Sequence, residues 1–156
     1  MSDKQYTTFY LDDHLFGVDI LYVREISRQL ELTPVHRVGN HVRGLVNLRG
    51  QIVTVLDLGV KLALDPREVS ATSRNIILKT EGELDRQAVH TDEHVGTGTD
   101  VVGLLVDRIG DVVTVDESEI ERPPANVGVV SGKYLSGVVK LDHGLLSILK
   151  VAQVCS

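Results

Sequence analysis

The chain has one cysteine, Cys155, no tryptophan and two phenylalanines among its 156 residues. A single cysteine excludes an internal disulfide, and its place beside the end reads as a tolerated terminal thiol. With so few large aromatics, a core must be assembled from Val, Leu and Ile. Val and Ile favour strands, because branching at Cβ stiffens χ1. No apolar run approaches the roughly 18 residues that a membrane-spanning helix needs. The opening MSDKQYTT lacks the apolar stretch of a secretory signal. A cytoplasmic protein without direct membrane insertion is therefore expected. A basic excess is missing too: the formal net charge is −6, whereas general nucleic-acid binding needs a positive footprint.

What is present is an ordinary globular composition, 42% hydrophobic, sufficient for one compact domain or two small lobes around one core. Charge is unevenly spread. From Arg24 to Arg49, five arginines stand against Glu25 and Glu31. From Glu81 to Glu121, twelve acids stand against Arg86 and Arg108. Such runs form either a solvated face or a surface read by a charged protein partner.

Short apolar runs separated by turn residues recur along the chain. Thr7–Leu11 and Leu15–Ile20 flank Asp12-Asp13-His14 as a hairpin. Ile20–Ile26 reads as a strand or a helical turn, with strand preferred for its β-branched residues, and Thr33-Pro34 ends it. Val42–Leu48 and Gln51–Leu58 around Arg49-Gly50 give the clearest hairpin signal. Val60–Leu64 suggests one helical turn, and Asn75–Lys79 a strand. Glu81–Asp100, rich in Gly, Thr and acids, is expected to be an exposed, mobile loop. Strands are expected at Val101–Ile109 and Val112–Val115 around a turn at Gly110-Asp111. A last hairpin is expected at Tyr134–Leu141 and Leu145–Leu149, with a short C-terminal helix after it. The pattern indicates an all-β barrel or sandwich.

The chain also repeats itself. At an offset of 93 residues, Gly44–Leu48 falls on Gly137–Leu141 and Ile52–Leu56 on Leu145–Leu149, without a gap. A weaker echo at 86 sets Gly17, Val18, Ile20, Val23 and Ile26 over Gly103, Leu104, Val106, Ile109 and Val112. Two related barrels are expected. The copies differ at the hairpin tip, Arg49-Gly50 against Asp142-His143, which places any function of Arg49 in the first lobe alone.

No catalytic set assembles. His90-Thr91-Asp92-Glu93-His94 matches H-x-x-E-H, a zinc-peptidase pattern. That chemistry needs a rigid helix and a third ligand, and here Gly96-Thr97-Gly98-Thr99 follows at once. Asp57-Leu58-Gly59 resembles the D-[ST]-G of aspartic peptidases, but Leu58 replaces the hydroxyl residue and Lys150 stands at the matching place in the second copy. A hydrolase through Asp57 or through His90 and His94 is thus the minor alternative. Asp57 is expected instead to accept backbone N–H bonds where its strand ends. Neither a metal nor any other cofactor is called for. Glu25 and Arg49 remain as charges in apolar surroundings, and a guanidinium at a rim is either solvated or an interface anchor.

These residues resemble those of the CheW chemotaxis coupling proteins over roughly Tyr6 to Val154. The likeness is carried by Phe16–Ile20, Val23–Ile26, Leu32–Val35, Val42–Gly50, Ile52-Val53 through Asp57-Leu58, Gly103–Asp107, Pro123-Pro124 and Tyr134–Val138. Phe16, His36 and Thr54 depart from residues frequent in that family, and the Glu81–Asp100 loop is long for it. The resemblance implies one domain over 6–154 made of two five-stranded SH3-like β-barrel subdomains, about 12–66 and 74–150, across a shared apolar seam, with the termini able to cross. It implies a non-catalytic adaptor joining a CheA-type histidine kinase, through that kinase's barrel-shaped regulatory domain, to the helical cytoplasmic tips of chemoreceptors. The runner-up is a coupling protein of a related non-flagellar (pilus motility or gene-regulatory) pathway, which the sequence does not separate from the first. No receiver domain is expected after Ser156. By the same analogy, receptor contacts involve Ile20, Val23, Glu25, Gly44, Asn47 and Arg49, with Gly50 at the hairpin tip and an ion pair between Glu25 and Arg49. Recruitment to receptor arrays at the inner face of the membrane would follow.

Overall fold

Alternating Val, Ile and Leu with polar residues produces strands wherever the outward face stays wet. In a computed structural model, residues 2–28, 30–35, 39–86 and 101–155 are described. Their elements are β1 Asp3–Leu11, β2 His14–Asp19, β3 Val23–Ser27, β4 Val42–Leu48, β5 Gln51–Asp57, α1 Leu58–Lys61, β6 Arg74–Leu78, α2 Glu81–Arg86, β7 Val101–Val106, β8 Arg108–Asp116, β9 Asn126–Val127, β10 Val130–Ser131, β11 Leu135–Leu141, β12 Gly144–Leu149 and α3 Val151–Val154. The all-β expectation holds, with helices among the described residues confined to a few short turns.

Two five-stranded sheets form, in the orders β3-β6-β7-β5-β4 and β11-β12-β2-β1-β8. Each is drawn round into a barrel by the chain that leaves one edge strand and pairs with the other. Beyond β3, Thr33 bridges Leu45 of β4; beyond β8, Glu121 bridges Val138 of β11. The repeat is real in space. β4, β5 and α1 have β11, β12 and α3 as counterparts at the expected offset, down to a register shift before Gly44 in one and before Gly137 in the other.

The two barrels exchange a strand. β7 joins the first sheet by parallel pairing with β5, Val55 opposite Gly103; β2 joins the second by parallel pairing with β12, Ile148 opposite Gly17. Gly17 and Gly103 are the residues matched by the weaker sequence echo. Each barrel thus draws on both halves of the chain, which crosses over at Ile20–Tyr22 and again at Asp107.

Three apolar clusters follow from this arrangement. Val46, Val53, Val55, Ile77 and Leu105 fill the first barrel; Tyr6, Leu15, Val139, Leu146 and Ile148 fill the second. The largest cluster lies between them, where Phe9, Phe16, Val18, Leu58, Ile76, Leu104, Leu149 and Val151 meet. The shared seam is therefore the principal core. Arg67 is sheltered nearby, donating from Nη1 to Asp12 (2.8 Å) and Asp107 (3.1 Å). Burial opposes its charge, but those two carboxylates outweigh it and hold the guanidinium above its ordinary value.

Three local expectations are corrected. Ile20–Ile26 is not one strand: Ile20–Tyr22 is a 3₁₀ turn, capped by Asp19 Oδ1 accepting from Leu21 N at 3.0 Å. Glu81–Asp100 does not begin as a loop, since Glu81–Arg86 is helical. Gly110-Asp111 is not a turn but lies within β8, opposite Thr8 alone between the pairs Thr7–Val112 and Phe9–Ile109. Two residues facing one is a β-bulge. Among the described residues no helix is long and apolar enough to cross a membrane.

Candidate functional site

The bulge in β8 has a counterpart in β3. Val23 opposes Leu78 and Glu25 opposes the next residue, Ile77, so Arg24 is the extra residue. In a regular strand, adjacent side chains leave opposite faces. A bulge re-aims them, and here both Arg24 and Glu25 reach the tip of the β4–β5 hairpin. Glu25 Oε1 accepts from Arg49 Nη2; Arg24 Nη1 donates to Gln51 Oε1 at 2.8 Å. The second copy carries Gly110-Asp111 at the bulge and Asp142-His143 at the tip. Two acids take the places of Glu25 and Arg49, so the ion pair belongs to the first barrel alone.

The tip is built to present Arg49. Leu48 pairs with Gln51, leaving Arg49 and Gly50 as a two-residue loop with φ of 53° and 85°. Positive φ at both positions matches the right-handed twist of a hairpin, and glycine adopts it without steric cost. Asn47 Oδ1 accepts from Gly50 N at 2.9 Å and braces the loop. The Arg49 side chain is 71% exposed and that of Glu25 27%. The pair is available to a partner and contributes little to folding.

Apolar residues flank these charges. Ile20, Leu21, Ile26 and Ile52 are exposed, while Val23 packs against the rim of the seam. Several exposed aliphatics on the 20–26 segment, beside the ion pair, offer an apolar surface with a charged anchor. Gly44 has a different place. A Cβ there would run into the Thr33 carbonyl, and one at Gly137 would meet Ile120 and Glu121. Both glycines let the closing segment cross over the strand, so Gly44 supports the site from beneath. Arg24, Gln51, Leu21, Ile26 and Ile52 are additions to the sequence-based set.

Of the hydrolase candidates, Asp57 has another occupation. Asp57 is fully buried, with Oδ1 accepting from Val60 N (3.2 Å) and Oδ2 from Arg67 N (2.8 Å) and Arg43 Nη1 (3.2 Å). It caps α1 and ties down the following loop, as expected of a structural carboxylate. His90 and His94 lie outside the described residues.

With this geometry in place, the comparisons are consistent. The family model of the CheW-like domain matches residues 5–156. The chain belongs to the CheW-like domain family. It is 26% identical to the chemotaxis protein CheW of Treponema pallidum, over 100% of this chain and 85% of that one. To the CheW of Bacillus subtilis it is 29% identical, over 95% and 84%. The crystal structure of the scaffolding protein TtCheW from Thermoanaerobacter tengcongensis superposes with a TM-score of 0.79 at 28% identity, covering 99% of this chain and 88% of that one. The paired barrels of the CheW-like domain are therefore shared with a solved relative.

Proposed function

We propose that the chain is a non-catalytic chemotaxis adaptor that couples chemoreceptors to a CheA-type histidine kinase. Membership of the CheW-like family supports the coupling role. The observation that carries the site is the Glu25–Arg49 pair, set on a bulge and a hairpin tip that differ in charge from their counterparts in the second barrel. The receptor's helical cytoplasmic tip docks here, its apolar stripe against Ile20 and Val23 and its polar edge against Glu25 and Arg49. Asn47 and Gly50 shape the loop, and Gly44 holds the strand beneath it. The kinase's barrel-like regulatory domain takes a separate surface, so receptor state passes through the adaptor without chemistry. The protein reaches the inner face of the membrane through the receptor it binds.

The test is Arg49→Ala in a reconstituted mixture of receptor, kinase and adaptor. The expected result is a folded protein with an unchanged urea midpoint and loss of receptor-controlled kinase activity. Control at the wild-type level would overturn the site.

A further inference from the structure

Arg24, the extra residue of the β3 bulge, joins three elements. Its Nε donates to Glu83 Oε2 at 3.0 Å and its Nη2 to Glu83 Oε1, a forked pair onto α2. Its third nitrogen holds Gln51, the residue directly after the Arg49-Gly50 loop. The Arg24 and Glu83 side chains are 22% and 20% exposed, more sheltered than Arg49 and Glu25. Forked geometry and partial burial distinguish an ion pair that holds structure from one that solvent screens away.

Glu83 is fixed from its own side as well. Its Oε1 accepts from Thr80 N (3.1 Å) and Thr80 Oγ1 (3.2 Å), while Glu83 N donates to Thr80 Oγ1 (3.3 Å). This is a reciprocal cap on the first turn of α2. The next residue, Leu84, is buried in the seam, and Lys79 N donates to Tyr22 O at 2.8 Å, beside β3. α2 has six residues, too few to persist without tertiary contacts. Its position depends on Leu84 at one side and Arg24 at the other.

We propose that Arg24 is a positioning residue that fixes α2 as a wall of the receptor-facing site, so that α2 takes part in selecting the receptor tip. The inference rests on the receptor reading above and adds a selector to it. One guanidinium holds both Gln51 and Glu83, so α2 and the base of the Arg49 loop are fixed to the same side chain. Receptors are discriminated by the fit of their helix against α2, as well as by the charges at the tip.

The experiment uses the full chain and, as probe, a soluble helical hairpin comprising the cytoplasmic tip of a chemoreceptor from the same organism. Amide hydrogen exchange across residues 81–86 and the Kd for the probe are measured for wild type, R24A, E83A, the charge-swapped R24E/E83R and R49A. R24A and E83A are expected to exchange about tenfold faster across that segment and to bind about tenfold more weakly. The charge swap restores the ion pair but not the Thr80 cap, so both readings are expected to return part of the way from those of R24A towards wild type. R24K, which keeps the charge and loses the fork, serves in the same comparison if R24A does not fold. Unchanged protection of 81–86 in R24A overturns the positioning role. If R49A weakens binding while R24A frees α2 and binds like wild type, the receptor site stands and the wall assignment falls. If R49A binds like wild type, the receptor reading fails and the selector role fails with it.

Discussion

Asp57 and Lys150 stand at the same point of the two barrels, and Asp57 caps the helix that follows whereas Lys150 makes no side-chain cap. The buried carboxylate also holds the Arg67 backbone N–H and the Arg43 guanidinium. Asp57→Ala removes a cap worth about 1 kcal/mol and strands a buried donor worth roughly 1–3 kcal/mol. A loss of about 2–4 kcal/mol is expected in urea denaturation. Lys150→Ala, at an exposed position without such bonds, is expected to stay within about 0.5 kcal/mol of wild type.

Gly44, Gly137 and Gly50 separate two reasons for glycine. At Gly44 and Gly137 an added Cβ meets the segment that closes the barrel, while at Gly50 it meets open space. Gly137→Ala is expected to cost roughly 1–3 kcal/mol, since Ile120 and the closing segment must shift, and Gly44→Ala more, because its φ of 150° adds backbone strain to the clash with the Thr33 carbonyl. Gly50→Ala carries the penalty of positive φ alone, about 1–2 kcal/mol. Thermal denaturation of the three variants gives the order.

Glu83 links the α2 contact to pH. Its hydrogen bond with Arg24 holds the carboxyl below its ordinary value, against the opposing effect of burial, with Thr80 adding to the same direction. A depressed carboxylate stabilises the fold above the ordinary range, and that contribution fades as pH falls through the lowered value. Wild type should therefore lose stability more steeply than Glu83→Gln as pH falls through and below the ordinary glutamate range. Parallel acid-unfolding curves for the two proteins would remove Glu83 as a source of the slope.

The terminal thiol is protected by packing. Burial pushes Cys155 up to about 11, with Lys61 pulling slightly the other way, so very little thiolate is present at neutral pH. Alkylation by iodoacetamide at pH 7.5 is expected to be at least ~100-fold slower in the native protein than in urea. Equal rates would place the C-terminal turn in solvent.

The repeat was legible because β4–β5 and β11–β12 are hairpins with two-residue loops, and an ungapped offset survives only when loop lengths match. The Glu25–Arg49 pair was reached from family resemblance, and its basis in a bulge was invisible in the string. Gly110-Asp111 carries the usual signature of a turn, yet a bulge uses the same residue types. The chain turns instead at Asp107, between two strands of unlike barrels. For α2 the signal was present: Thr80 and Glu83 have capping-box spacing, masked by the Gly- and acid-rich composition around them. Arg24 and Glu83 lie far apart in sequence, and nothing local pairs them. The strand exchange is hidden for a different reason. β2 and β7 show the same apolar pattern whichever barrel receives them.

That exchange has a consequence for how the chain is made. The first barrel takes its strands from 23–106 and can close once β7 has left the ribosome. The second joins β1 and β2 to β8, β11 and β12, so its opening hairpin, with Phe9 and Phe16, must wait until β12 has been synthesised. Such long-range closure slows folding and leaves apolar strands unpartnered meanwhile. Premature termination between β7 and β12 therefore yields a first barrel beside an unfinished second one, a species prone to aggregate and recognisable to quality control.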